Sequence, residues 1–206
     1  MEGHTTRFKA TSPKAIKVPS QAECFALLKR YDNYPHIIAH SQKVAKVALF
    51  LANSLKESGF VLNLSLIKAG ALLHDIAKTY SLKHPGVDHA KKGAEWIEAA
   101  GYPEVAEIIR WHVELPHKAE IDEKTIVNYA DKRVKHENIV SLEERFEDLL
   151  KRYGKNKSSR KRIEDFYIRT KTFEKKLFSY LPFGPEFLKI LEVKDETAKG
   201  GSALWR

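Results

Sequence analysis

The sequence predicts an all-α fold, an irregular helical bundle, and three observations carry that expectation. Apolar residues recur at spacings of three and four along most of the 206 residues. Residues that start and stop helices fall between those runs, and no two alternating segments joined by a tight turn suggest a strand pair. Neither an internal repeat nor a sustained heptad is evident, which leaves a bundle of unequal helices.

Ser20 followed by Glu23 makes a capping-box pattern and starts a first helix, Gln21 to about Tyr31. A long second helix starts at Tyr34-Pro35; Val44, Val47, Leu51 and Leu55 mark its inner stripe, and Gly59 its stop. Asn63 caps a third helix, expected to run unbroken from Leu64 to about Lys78. Leu66, Ile67, Ala69, Ala71, Leu72, Leu73 and Ile76 leave that helix apolar on nearly every side, as a central helix is. After a polar loop with His84-Pro85-Gly86, a fourth helix runs from about Asp88 to Ala100. Gly101 stops it, and Pro103 starts the next, which carries Val105, Ile108, Ile109 and Trp111. Further helices are expected at 122–136, 141–152, 159–178 and 185–192. Residues 1–19 are expected to form a disordered arm, 20–152 the main domain, 153–193 a basic helical extension packed on it, and 194–206 a flexible tail.

With 43% hydrophobic and 31% charged residues, the chain is large enough for one globular domain with a real core. The single cysteine, Cys24, cannot form an internal disulfide, and the first residues lack the apolar stretch of a secretory signal, so a cytoplasmic location is expected. No apolar run approaches the roughly 18 residues that cross a bilayer, so no membrane association is expected. The formal charge of +9 points to an anionic partner. That excess is concentrated: from Lys151 to Lys176 there are eleven Lys and Arg against Glu164, Asp165 and Glu174. RNA binding through 151–176 is therefore open, beside the plainer reading of a solvated helix face.

The stretch Ala71-Leu72-Leu73-His74-Asp75-Ile76-Ala77-Lys78 sets two strong metal-ligand types in a run that otherwise reads as core. An ionised carboxylate buried without a partner is costly, so it calls for a cation, a hydrogen-bond donor or a shifted pKa. His40 lies on the same stripe as Val44, Val47 and Leu51 and is expected to point inward. Asp131 ends the mostly apolar run Ile126-Val127-Asn128-Tyr129-Ala130. Taken singly, His40 reads as a core histidine and His74-Asp75 as a structural pair. Taken together, the four can supply two imidazoles and two carboxylates to one divalent ion. Nitrogen and oxygen donors without thiolate suit Mn, Fe, Co, Ni, Mg or Zn.

A His, then His-Asp, then a distal Asp on a helical bundle is the pattern of the HD superfamily of metal-dependent phosphohydrolases. The sequence resembles that pattern over roughly residues 20–150, with His40, His74, Asp75 and Asp131 at its four positions. Leu-Leu-His-Asp-Ile-Ala-Lys is also similar to the HDIG subgroup, with Ala77 in place of the glycine. In some of these families two further histidines hold a second metal, and His89 and His112 occupy their places. The resemblance thus implies one or two divalent ions, with Asp75 shared between them. It implies hydrolysis of a phosphate ester or anhydride in a small phosphorylated, nucleotide-like substrate by a metal-activated hydroxide, with Lys78 contacting phosphate. Arg145 is a weaker candidate phosphate clamp, as are Lys132 and Arg133. The ligand pattern looks most like that of bacterial diadenosine tetraphosphate hydrolases, although the segment after Asp131 differs in character.

Two other functions fit the same residues: a mixed-valent di-iron oxygenase, which the same scaffold also supports, and a non-catalytic nucleotide- or RNA-binding module. Gly101-Tyr102-Pro103 spells the signature of cyclic-di-GMP phosphodiesterases but reads better as helix stop, linker and helix start. His36, His84, His117 and His136 are expected to be solvated, and His4 belongs to the arm. Cys24 has no evident base partner for thiol catalysis.

Overall fold

A computed structural model describes residues 16–192. The expected arm up to residue 15, with His4, and the expected tail at 194–206 lie outside the described residues. The described chain is an all-α bundle of nine α-helices with one two-stranded hairpin and a final 3-10 turn at Pro185–Lys189. None of its helices is long and apolar enough to cross a membrane.

Helix α1 (Gln21–Arg30) starts on the expected capping box: the Ser20 hydroxyl accepts from the Glu23 N–H, and the Glu23 carboxylate accepts from the Ser20 N–H. Just before it, residues 16–19 depart from the expected disorder. Val18 packs against the core and the Cys24 thiol lies 3.9 Å from the Pro19 carbonyl, because two apolar residues here find a surface to cover. Helix α2 (Pro35–Glu57) has proline in its first turn, where a missing N–H removes no helical bond. Gly59 follows it with φ +93°, the left-handed backbone that ends helices and favours glycine.

Helix α3 (Leu64–Leu73) is capped by the Asn63 side chain and buried on nearly all sides. It lies against α2, against α6 (Pro103–Trp111) and against α7 (Glu123–Lys132). Gly70 permits the approach to α6, since a Cβ there would stand 2.7 Å from Ile108 Cγ2. That closeness serves the functional cluster, because His74 follows Gly70 by about one helical turn. Helix α5 (His89–Ala99) packs on α6 across a turn at Gly101.

Two expected helices end early. The third stops at Leu73, residues 74–77 form turns, and a short α4 (Lys78–Lys83) follows. The cause is local: His74 Nδ1 donates to the Ala71 carbonyl at 2.7 Å, taking an acceptor from the helical ladder. Backbone bonds then tighten to the three-residue pattern, Ile76 N–H to Leu73 O and Lys78 N–H to Asp75 O. The helix expected at 122–136 stops at Lys132. Contrary to the expected absence of strand pairs, β1 (Val134–Lys135) and β2 (Asn138–Ile139) form a small antiparallel hairpin. His136 turns its corner at φ +56°, a conformation no continuing helix allows.

Helices α8 (Leu142–Tyr153) and α9 (Lys157–Phe178) open on capping boxes at Ser141 and Asn156, so α9 begins two residues before the expected position 159. Phe173 and Leu177 of α9 join the main core. Beneath them Arg133 Nη1 donates to Tyr129 Oη at 2.7 Å and to Glu174 Oε2 at 3.3 Å, tying α7 to α9. The helix expected at 185–192 opens as a 3-10 turn, Pro185–Lys189, and is helical from residue 190 to 192, where the described residues end.

Candidate functional site

The six expected ligands come from five separate places in the chain and meet at one end of the α2, α3 and α7 layer. His40 lies in the second turn of α2, and His74 caps the C-terminus of α3, with Asp75 in the turn after it. His89 is the first residue of α5, His112 caps the end of α6, and Asp131 is next to last in α7. Five of the six therefore sit at or beside helix ends, where an interrupted ladder leaves a side chain free to turn inward.

They form two groups, His40 with His74 and Asp131, and Asp75 with His89 and His112; within each, one ligand atom per residue lies within 4.8 Å of the others. In the first, His40 Nε2 is 3.0 Å and His74 Nε2 3.7 Å from Asp131 Oδ1. In the second, Asp75 Oδ1 is 3.1 Å from His89 Nε2 and 3.4 Å from His112 Nε2, and the two imidazole nitrogens are 3.2 Å apart. The other oxygen of Asp75, Oδ2, faces His74 Nε2 at 3.8 Å, so this carboxylate stands between the groups.

The backbone sets the tautomers. Nδ1 of His40, His74 and His112 donates to the carbonyls of His136, Ala71 and Ile109 at 2.8, 2.7 and 2.6 Å. A hydrogen on Nδ1 turns the unshared pair of a neutral ring's Nε2 toward the cluster, as ligating histidines are usually arranged. His74 is the clearest case. Its ring is fully buried, its Nε2 has no hydrogen-bond partner, and two carboxylate oxygens lie within 4 Å of that atom. Burial pushes its pKa down to about 4, so the ring is neutral at pH 7. A lone pair facing carboxylates without a donor is unfavourable by about 1–3 kcal/mol, and a cation between them removes the conflict. The donor set therefore fits divalent ions.

The carboxylates stay ionised against the pull of burial. Burial acts to raise Asp75, but the charge of Lys78, the neighbouring His74 and the bonds to His112 and His89 hold it well below the usual carboxylate range. For Asp131 burial is likewise overcome, here by Lys132 and the bond to His40. His40 is raised despite burial, because Asp131 favours its protonated form; a proton and a metal ion thus compete for the gap between them. Burial lowers His89.

The expected phosphate contacts separate clearly. Lys78 Nζ is 3.4 Å from His89 Nε2 at the rim of the second group. Arg145 Nη2 lies 3.8 Å from Asp131 Oδ1, beside the first. Lys132 and Arg133, equivalent in the sequence, face different ways. Lys132 is buried, pairs closely with Asp131 Oδ2 and donates to the His112 carbonyl at 3.3 Å. Arg133 is committed to Tyr129, Glu174 and the Val140 carbonyl, away from the cluster. Sequence reasoning missed one contributor. His136, whose ring is exposed as expected, supplies the carbonyl that orients His40. It has no sequence signal, since it works through its backbone.

Residues 37–135 match the HD domain family model. The chain is 29% identical over 144 residues to the uncharacterized protein MJ0778 of Methanocaldococcus jannaschii, covering 62% of this chain and 83% of that one. It is 29% identical over 183 residues to a tRNA (cytidine(56)-2'-O)-methyltransferase of Picrophilus torridus, covering 81% of this chain but 49% of the relative. The corresponding methyltransferase of Thermoplasma volcanium is 30% identical over 102 residues, 48% of this chain and 28% of the relative. The chain thus spans half or less of these two enzymes. A solved structure of a predicted HD superfamily hydrolase from an uncultured Thermotogales bacterium aligns at a TM-score of 0.46 and 23% identity, over 79% of this chain and 94% of that one. Residues 37–135, which contain the whole His/Asp cluster, are thus an HD domain.

Proposed function

We propose that this protein is a metal-dependent phosphohydrolase that cleaves a phosphate ester or anhydride in a nucleotide-like substrate. One observation carries the reading: His74 Nε2, fully buried and without a donor, is aimed between the carboxylates of Asp75 and Asp131. Held by His40, His74 and Asp131, and by Asp75, His89 and His112, divalent ions supply Lewis acidity and lower the pKa of water, the chemistry that attack on phosphorus needs. The chain's own groups do the rest. Asp75, with one oxygen toward each group, keeps the two halves of the centre in register. Lys78 at the rim offers an ammonium to a phosphate oxygen, and the carboxylate of Asp75 keeps it charged against the pull of burial. Arg145 offers a guanidinium on the Asp131 side. Lys132 is a positioning residue: it holds Asp131 ionised and oriented from behind.

The test is turnover of bis(p-nitrophenyl) phosphate, p-nitrophenyl phosphate and a nucleoside triphosphate after loading with Mn, Co, Ni or Fe. These probes separate diester, monoester and anhydride cleavage. Turnover of at least one, abolished in Asp75→Asn, is the expected result. Failure of the metal-loaded wild type on all three removes the hydrolase reading. A second reading has support of its own: the alignment with a tRNA-modifying enzyme covers 81% of this chain and so extends past residues 37–135. An RNA-binding module without turnover would bind RNA equally well as wild type and as Asp75→Asn, and hydrolyse nothing.

A further inference from the structure

The basic character of the C-terminal third divides into two parts. In the second half of α9 two of the cations are used internally: Lys171 bonds Glu143 and Glu174, and Lys176 bonds Glu120. The elbow between α8 and α9 is different. From Lys151 to Arg162 there are seven Lys and Arg and no acid, and every one of the seven is exposed. Among the described residues only Arg152 of these seven forms an ion pair, with Asp148.

This elbow is continuous with the His/Asp cluster. Arg152 Nη2 lies 3.2 Å from His136 Nε2, and the His136 carbonyl is the acceptor for His40 Nδ1. Asp148 bonds both Arg152 and Arg145, and Arg145 reaches to 3.8 Å from Asp131. Tyr153, at the end of α8, is 52% exposed. Positive side chains thus run from the rim of the cluster outward onto the elbow, with one exposed aromatic ring on the way.

We propose that the α8–α9 elbow docks a single-stranded polynucleotide and leads its backbone to the His/Asp cluster. The inference rests on the phosphohydrolase reading for what happens at the cluster, and narrows the substrate to a phosphate within or at the end of a strand. Six cations without an ion pair among the described residues, with Arg152 beside them, exceed what a mononucleotide can engage, whereas a strand presents one phosphate per residue. A positive groove with an exposed aromatic ring is the usual means of holding single strands. An anionic membrane fits less well: surface-bound helices insert Leu, Phe or Trp beside their cations, and from Lys151 to Arg162 Tyr153 is the only aromatic side chain.

The test uses the full chain in chelator, so that binding is read apart from turnover. Fluorescence anisotropy follows labelled RNA and DNA oligonucleotides of one mixed sequence, and phosphatidylserine vesicles are run in parallel. The variant carries Lys155→Gln, Lys157→Gln, Arg160→Gln and Lys161→Gln, all outside the cluster. Wild type is expected to bind RNA, DNA or both, with the preferred strand naming the source. The variant should bind at least ten-fold more weakly, and its slope of log K against log salt should be shallower by roughly 0.7 for each phosphate that is no longer neutralised. Its melting temperature and its turnover of bis(p-nitrophenyl) phosphate should match wild type, and the oligonucleotide should inhibit that turnover in wild type far better than in the variant. No strand binding by wild type, undiminished binding by the variant, binding to vesicles in place of strands, or strand binding without inhibition of an active enzyme overturns the proposal. A protein that binds strands through the elbow but hydrolyses none of the probes loses the hydrolase reading and keeps the docking surface.

Discussion

The two ligand groups differ in how firmly the fold holds them. His40, His74 and Asp131 come from the interior of α2 and the inner ends of α3 and α7; both imidazoles are pinned by carbonyls, and Lys132 and Arg145 bear on the carboxylate. Asp75, His89 and His112 come from a turn, a helix start and a helix end, and the His89 side chain keeps 20% of its surface in solvent beside Lys78. The first group is fixed by the core. In the second, His112 is buried and pinned by the Ile109 carbonyl, and His89 is the member that opens to solvent and the approaching substrate. Rigid ligands hold an ion permanently, and open ones leave room for exchange and for phosphate.

The largest change should come from the residue that belongs to both sides. Asp75→Asn is expected to lower kcat by on the order of a thousand-fold or more, a loss of about 4 kcal/mol of transition-state stabilisation, and to reduce metal content in both groups. Steady-state kinetics and elemental analysis on the same preparation check it. Asp131→Asn breaks the first group in another way, because Lys132 is then buried with its charge unpaired. A loss of about 3–5 kcal/mol is expected in chemical denaturation. A melt of Asp131→Asn indistinguishable from that of Asp75→Asn, whose Lys78 sits at the rim, would contradict the difference drawn between the groups.

Gly70→Ala tests the contact that brings them together. A Cβ 2.7 Å from Ile108 Cγ2 must displace the Ile108 side chain and so strain α6, which ends at His112. Overpacking of this kind is expected to destabilise by about 1–3 kcal/mol, with activity falling before the fold does; a urea midpoint unchanged from wild type argues against the close approach. The smallest stability effect belongs to His89→Ala, which should remove one ion per chain and shift stability by no more than about 0.5 kcal/mol. Thermal melts and metal content separate those outcomes.

What the sequence revealed follows the same division. His40, His74, Asp75 and Asp131 stood out as polar residues in apolar runs, a conflict visible without coordinates. His89 and His112 sit at helix ends, where a histidine is ordinary, so only the family pattern pointed to them. Lys132 and Arg133 are adjacent and chemically alike, and tertiary placement alone sends one to Asp131 and the other to Glu174. The break after Leu73 was hidden because Ile76 and Ala77 remain in the core, so the apolar pattern continues where the helix stops. The hairpin escaped notice because strands of two residues are too short for alternation to register. Caps were readable: Ser20, Asn63 and Pro103 act where their chemistry places them.

The measurement that bears most directly on the metal centre is the metal content per chain, by elemental mass spectrometry, of protein purified anaerobically without chelator or a metal-binding tag. About two divalent ions per chain, one for each group, is the expected result, with one lost in His89→Ala and both reduced in Asp75→Asn. Protein that holds no divalent ion even after reconstitution, with His40, His74 and Asp131 intact, contradicts the account.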